Sequence, residues 1–198
     1  MHRAFAYLVK TRCLDPKVVS VFARRHMIYE DAKYHNAVFV GFDVDGIPRH
    51  AHKRGTCQRG KPFKGNVESC DPRYSFHWIG KSDTVYVFEA PIDMLSFISM
   101  YQKDWMGHSY VALCGVAEHA LVQLLEDVPH LSKITLCLDH DKAGIEAGER
   151  IKKRLSERGY RNVFPLFSCQ KDWNEDLQAL QKPPPEFVAE CQTVTQMM

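Results

Sequence analysis

The sequence predicts an α/β protein: a four-stranded parallel sheet with helices on both faces, preceded by a small basic α+β subdomain. Three observations carry that expectation. From residue 82 onward, short apolar runs alternate four times with helical stretches across short connections, the pattern of successive βα units. The runs are continuously apolar, as strands covered on both faces are. Charge also divides the chain: residues 1–80 hold 14 Lys and Arg against 7 Asp and Glu, net +7, while residues 81–198 hold 12 against 17, net −5. The expected organisation is a basic α+β subdomain over 1–80, the α/β domain over 81–182 and a Pro-rich tail over 183–198.

The front half opens with two helical patterns, "AFAYLVKTR" and "DPKVVSVFARRHM". In the second, Asp15 suits the N-cap and Pro16 the first helical position. Val18, Val19, Phe22 and Ala23 fall on one face. Alternating Val38, Val40 and Phe42 make a strand, Asp45-Gly46 marks a hairpin turn, and Ile47 to His52 returns as its partner. A loop rich in Gly, Lys and Arg leads to the short strand "YSFHWIG". Beyond it the strands "TVYVFE", "SYVALCG", "KITLCLD" and "NVFPLF" alternate with the helices "PIDMLSFISMY", "EHALVQLLEDV", "GIEAGERIKKRLSERG" and "WNEDLQAL".

No stretch approaches the roughly 18 apolar residues of a membrane helix, and "MHRAFAYLVKTRCLD" lacks the apolar segment of a secretion signal. The expectation is a cytoplasmic protein with no membrane contact. The seven cysteines are scattered and often inside apolar runs, as reduced thiols are. Zinc is not expected: His50, His52, Cys57 and Cys70 are the candidate ligands, and they lack the paired spacing of a zinc site.

In an open parallel sheet, sites form at the carboxyl ends of the strands. Glu89 ends the first strand, and Asp93 follows one helical turn later. Asp139 ends the third, with Asp141 two residues on, and Asp172 follows the fourth. Taken singly, Asp93 or Asp172 reads as a helix N-cap. Together, five acids on one rim would repel strongly where water is partly excluded. A hard divalent cation removes that cost, and Mg²⁺ suits an open rim because it keeps waters and substrate phosphates as ligands. Gly144 and Gly148 would let the following helix lie close to the sheet.

"VFEAPIDMLS" followed by "LCLDHDKAG" resembles the Toprim domain of bacterial-type primases, topoisomerases, nucleases of the overcoming-lysogeny type and recombination mediators. The resemblance covers about residues 82 to 181 and places Glu89, Asp139 and Asp141 at its catalytic positions. Asp93, Gly115 and "KDWNEDL", with Asp172, match further features, and Asp93 and the last stretch point to the primase branch. The front half, through "HNAVFVGFDVDGIPRHAHKRGT", is similar to an uncharacterised domain that precedes Toprim in proteins of plasmids and conjugative elements. The resemblance implies Mg²⁺ or Mn²⁺ held by Glu89, Asp93, Asp139, Asp141 and Asp172. It also implies single-stranded DNA and NTPs as substrates, and a helicase or relaxase of the same element as partner.

Arg49, Lys53, Arg54, Arg59, Lys61 and Lys64 are the candidate template contacts, with Lys142 and Lys171 placed to meet phosphates. Phe63, Tyr74, Phe76 and Trp78 could stack on bases, although core packing is the stronger reading for alternating strand residues. The zinc-binding module and the helicase-binding domain of complete primases have no counterpart within these 198 residues, nor does the strand-cleaving tyrosine domain of a topoisomerase. Rival readings are phosphodiester hydrolysis at the same rim and a scaffold that binds DNA without chemistry. A phosphorelay receiver would carry its paired acids after the first strand instead of the third.

Overall fold

The computed structural model describes residues 1–57 and 63–181. The chain begins with α1 (His2–Ala6), which runs into a π-helical turn over Tyr7–Thr11. This turn closes with Arg12 N–H donating to Tyr7 O at 3.0 Å. Helix α2 (Pro16–Arg24) starts as its sequence dictates: Asp15 Oδ1 accepts from the amides of Lys17 at 2.7 Å and Val18 at 3.1 Å. Val18, Val19 and Phe22 are buried beneath it.

Two sheets follow. The first is antiparallel, in the order β1 (Ile28–Glu30), β2 (Ala37–Phe42), β3 (Pro48–Arg54), β4 (Lys64–Asn66). Its central hairpin turns at Gly46, whose φ of 76° lies in the left-handed region. Asp43 braces the turn by accepting from the amides of Asp45 and Ile47. A register shift at Gly41/Phe42 leaves Phe42 opposite Pro48 and Gly41 opposite His50.

The second sheet has the order β5-β7-β6-β8-β9, from β5 (His77–Trp78), β6 (Thr84–Phe88), β7 (Ser109–Ala112), β8 (Lys133–Leu136) and β9 (Asn162–Pro165). The four expected strands are parallel, and β5 adds an antiparallel edge against β7. That fifth strand comes from the basic front half. Helices α3 (Pro91–Met100) and α6 (Trp173–Gln181) cover one face together with α2 and the first sheet. Helices α4 (His119–Asp127) and α5 (Lys142–Glu157) cover the other. Alternation on β6 serves both layers: Phe88 packs on the α3 side, Val85 and Val87 on the α4/α5 side.

Phe76 and Trp78 lie in the first of these cores, beside Phe22 and Trp105. They are therefore not available to stack on bases, whereas Phe63 is 54 % exposed. Among the described residues, no helix is long and apolar enough to cross a membrane. The expected tail over 183–198 lies outside the described residues.

Candidate active site

From β6 the chain moves to β7 on one side of the sheet, then returns to β8 and β9 on the other. The order thus reverses at β6, and a crevice opens at the carboxyl ends of these strands. A cavity of about 440 Å³ occupies it. Glu89, Asp93, Asp139 and Asp172 line one wall; His52, Arg54, Lys64 and Asn66, from β3 and β4, line the wall opposite.

Each acid is placed by its own element. Glu89 follows β6 directly, and Asp139 follows the extended Cys137–Leu138 beyond β8. Asp93 is buried in the first turn of α3, where Asn174 N–H donates to its Oδ1 at 3.3 Å. Asp172 begins α6, its Oδ1 accepting from the Glu175 amide at 2.8 Å. Asp141 is outside the cavity lining. It caps α5 through the Gly144 amide at 3.0 Å and meets Lys171 Nζ at 3.5 Å.

Gly144 is required here. A Cβ on it would sit 2.1 Å from Asp139 O and 2.9 Å from Glu89 Oε1, so only glycine lets α5 start against both acids. Gly148 meets nothing nearer than Leu138 Cδ1 at 3.9 Å, an ordinary contact, and closeness to the sheet does not explain it.

The electrostatics follow from this crowding. Burial, then Glu89, Asp172 and Asp141, push Asp139 up to about 7 against the pull of Lys171. Burial likewise raises Glu89, opposed by a backbone hydrogen bond at Asp139 and raised further by Asp141, while Lys64 and Lys171 pull it down. Asp93 is raised well above the carboxylate range by burial, then Asp172 and Asp139. Asp141 moves the other way, lowered first by the Gly144 amide.

Glu89 Oε1 and Asp139 Oδ1 are buried with no hydrogen-bond partner. On the opposite wall, Arg54 Nε is a buried donor with none. These three unsatisfied atoms belong to residues that line one cavity, and leaving them unpaired costs stability. Among the described residues, no three His, Cys, Asp or Glu side chains form a ready-made cage for a metal ion. An open rim that shares a cation with water and phosphate needs none.

The remaining candidates are dispersed. Arg54, Lys64 and Lys171 reach the cavity. Lys53 is next to Arg54 in sequence, so alternation turns it to the other face of β3, in register with Val38 and Gly65. Arg49 is held by Asp43, its Nε 2.6 Å from Oδ2, and lines a separate cleft. Lys142 opens α5, 3.9 Å from Glu146, and is outside the cavity lining. Arg59 and Lys61 lie outside the described residues.

Sequence reasoning missed Arg12, met Asn174 only within the stretch "KDWNEDL", and took His52 only as a zinc candidate. Arg12 donates through Nε to Tyr7 Oη at 2.7 Å and through Nη1 to Asn174 Oδ1 at 3.1 Å. Asn174 Nδ2 donates to Arg12 O at 2.8 Å and to Ser96 Oγ at 2.9 Å. The π-helical turn is thereby tied to the floor beneath Asp93. Nothing local in the sequence signals a pairing across that separation.

Comparison with known proteins agrees with this architecture. Residues 6–82 match the family described as protein of unknown function DUF3991, and residues 86–177 match the Toprim-like family. An uncharacterised Bacillus anthracis protein, pXO2-78, is 24% identical over 202 residues, covering 91% of this chain and 58% of that protein. The uncharacterised protein MG010 of Mycoplasma genitalium is 30% identical over 97 residues, covering 48% of this chain and 42% of its own. The chain therefore spans little more than half the length of the first of these relatives and less than half of the second.

Among solved structures, the primase fragment of the bacteriophage T7 primase-helicase protein aligns with a TM-score of 0.62 at 18% identity, over 84% of this chain and 66% of that one. A DnaG primase catalytic domain bound to single-stranded DNA aligns with a TM-score of 0.60 at 14% identity, over 90% and 68%. At such identities the likeness is one of fold.

Proposed function

We propose, from the premise that this chain carries a Toprim-like domain preceded by a DUF3991 domain, that it is a divalent-metal-dependent, primase-like nucleotidyltransferase acting on single-stranded DNA in a mobile element. The observation that carries the reading is the set of buried, unpartnered polar atoms on Glu89, Asp139 and Arg54, three residues that line one cavity. A metal-bound triphosphate would satisfy both walls at once.

The donor set fits Mg²⁺ or Mn²⁺. Glu89 and Asp139 offer free carboxylate oxygens, and Asp93, Asp141 and Asp172 complete the acidic surround. Such ions, when bound, would activate the attacking hydroxyl and neutralise charge on the leaving pyrophosphate. The protein's own groups do the rest. Arg54 and Lys64 hold triphosphate oxygens and orient the substrate. Glu89, raised by burial, accepts the proton of the attacking 3′-hydroxyl. Lys171 remains charged beside Asp141 and limits repulsion along the rim. Lys53, on the other face of β3, and Arg49, held by Asp43, would meet a template only outside this cavity. The partner we infer is a helicase or relaxase encoded with it, in keeping with a fold shared with a fragment of a primase-helicase protein.

The test is incubation with single-stranded DNA, labelled NTPs and Mg²⁺ or Mn²⁺. Metal-dependent oligonucleotide synthesis is the expected outcome. Cleavage of the DNA instead would assign the rim to hydrolysis, and neither activity would reduce the chain to a binding module.

A further inference from the structure

A π-helical turn makes neighbours of residues five apart, where an α-helix aligns those three or four apart. In the turn over Tyr7–Thr11 the pair brought together is Tyr7 and Arg12. Arg12 N–H donates to Tyr7 O at 3.0 Å, and its side-chain Nε donates to Tyr7 Oη at 2.7 Å. The guanidinium carbon also stands 5.4 Å from the centre of the Tyr7 ring. Tyr7 is buried in the core, so this bracket is firmly based.

Helix α6 fastens the same segment from the other side. Asn174, Gln178 and Gln181 recur at the spacing of one helix face. Their amide groups donate to the carbonyls of Arg12, Thr11 and Cys13 at 2.8, 2.8 and 3.0 Å. These bonds fall on the backbone, so they clamp the turn whatever side chain position 12 carries. Asn174 Oδ1 in addition accepts from Arg12 Nη1 at 3.1 Å.

Backbone and side chain of Arg12 are thus both held, yet its charge is unmatched. The residue is half-buried, lines the cavity between the two walls and forms no ion pair among the described residues. Asp93 does not serve as its counter-ion: burial, Asp172, Asp139 and the Asn174 amide all act on that carboxyl more strongly than Arg12 does. Tyr7 and Asn174 engage two of the five N–H donors of the guanidinium, leaving three.

We propose that Arg12 is a phosphate ligand of this cavity, held ready by the π-helical turn and α6 for the outer phosphates of a bound nucleoside triphosphate. The inference rests on the nucleotide reading above and adds a specificity to it, for triphosphates over monophosphates. A half-buried cation without a partner is costly until an anion joins it. The planar fork of a guanidinium matches phosphate oxygens, and one already fixed loses little freedom on binding. A triphosphate suits the position better than a DNA phosphate because it brings several negative charges to one place. Arg12 is also joined through Asn174 to Asp93, on the wall that the same reading assigns to the metal ions.

The experiment is isothermal titration of the whole chain with ATP, ADP and AMP in the presence of Mn²⁺, and separately with a single-stranded oligodeoxynucleotide. Wild type, Arg12→Ala, Arg12→Lys and Tyr7→Phe are compared, and each variant's melting curve is recorded. Wild type should bind ATP more tightly than AMP. Arg12→Ala should weaken ATP about tenfold, the loss expected for a charge-assisted hydrogen bond, and leave AMP unchanged. Arg12→Lys keeps the charge without the fork and should recover part of that loss. Tyr7→Phe loses only the hydroxyl that holds Nε and should weaken ATP by a smaller factor. A purely structural arginine would lower the melting temperature and leave the ratio of ATP to AMP affinity as in wild type. That result overturns the inference and spares the proposed function, as does a loss confined to the oligonucleotide. Wild type that binds no ATP with Mn²⁺ removes both.

Discussion

The two walls of the main cavity are built in opposite ways. The acidic wall draws Glu89, Asp93, Asp139 and Asp172 from three strand-to-helix junctions of a parallel sheet. The basic wall takes His52, Arg54, Lys64 and Asn66 from two neighbouring strands of an antiparallel ribbon. Junction residues reach the rim because every parallel strand ends there, whatever the register between strands. Ribbon residues reach it only by parity, and a shift of one position would bring Lys53 in and turn Arg54 out.

Chemistry on the acidic wall gives the largest expected effect. Glu89→Gln and Asp139→Asn should fold and bind DNA but lose turnover by about 10²-fold or more. Steady-state assays of both variants check this, and unimpaired synthesis would remove the wall from the mechanism.

Packing behind that wall comes next. Gly144→Ala places a methyl 2.1 Å from a backbone oxygen that cannot swing away. Overpacking of this kind costs about 1–3 kcal/mol, measurable by denaturant unfolding. Gly148→Ala should be neutral or slightly stabilising, since it has room for the methyl and alanine favours the helix.

A smaller effect is the pH dependence of stability. Asp139 is raised to about 7 in the folded chain from its ordinary 3.8. The native state therefore binds the extra proton, so this group's contribution is fully present below about pH 4 and is lost as pH rises through about 7. Melting temperatures of wild type and Asp139→Asn, measured without metal across pH 4–8, should diverge over that window in wild type's disfavour as pH rises. Parallel curves would contradict the crowding.

The subtlest test concerns parity on the basic wall. Arg54→Ala should lower single-strand affinity and flatten the salt slope by about 0.7 for each phosphate left without its cation. Lys53→Ala, on the other face of β3, should change affinity less than Arg54→Ala does.

These contrasts also explain what could be read from the sequence. Glu89 and Asp139 were legible because continuous apolar runs stop at them, and Asp15 because a cap and a proline announce a helix. The pairing of β5 with β7 was not, since a two-residue strand has no measurable period. Arg54 could not be distinguished from Lys53 without the register that sets Lys53 opposite Val38 and Gly65. The π-helical turn read as ordinary helix, and its bond from Arg12 to Asn174 depends on tertiary packing alone.

In the proposed function both walls serve one metal-bound phosphate ligand, and thermal melting can isolate that sharing. Wild type is melted with Mn²⁺ alone, with nucleoside triphosphate alone and with the two together. Ligands that share a site stabilise the folded state by mass action and reinforce each other. The predicted result is a shift with both that exceeds the sum of the separate shifts and shrinks in Asp139→Asn and in Arg54→Ala. An additive shift, or none, would contradict a ligand shared between the walls.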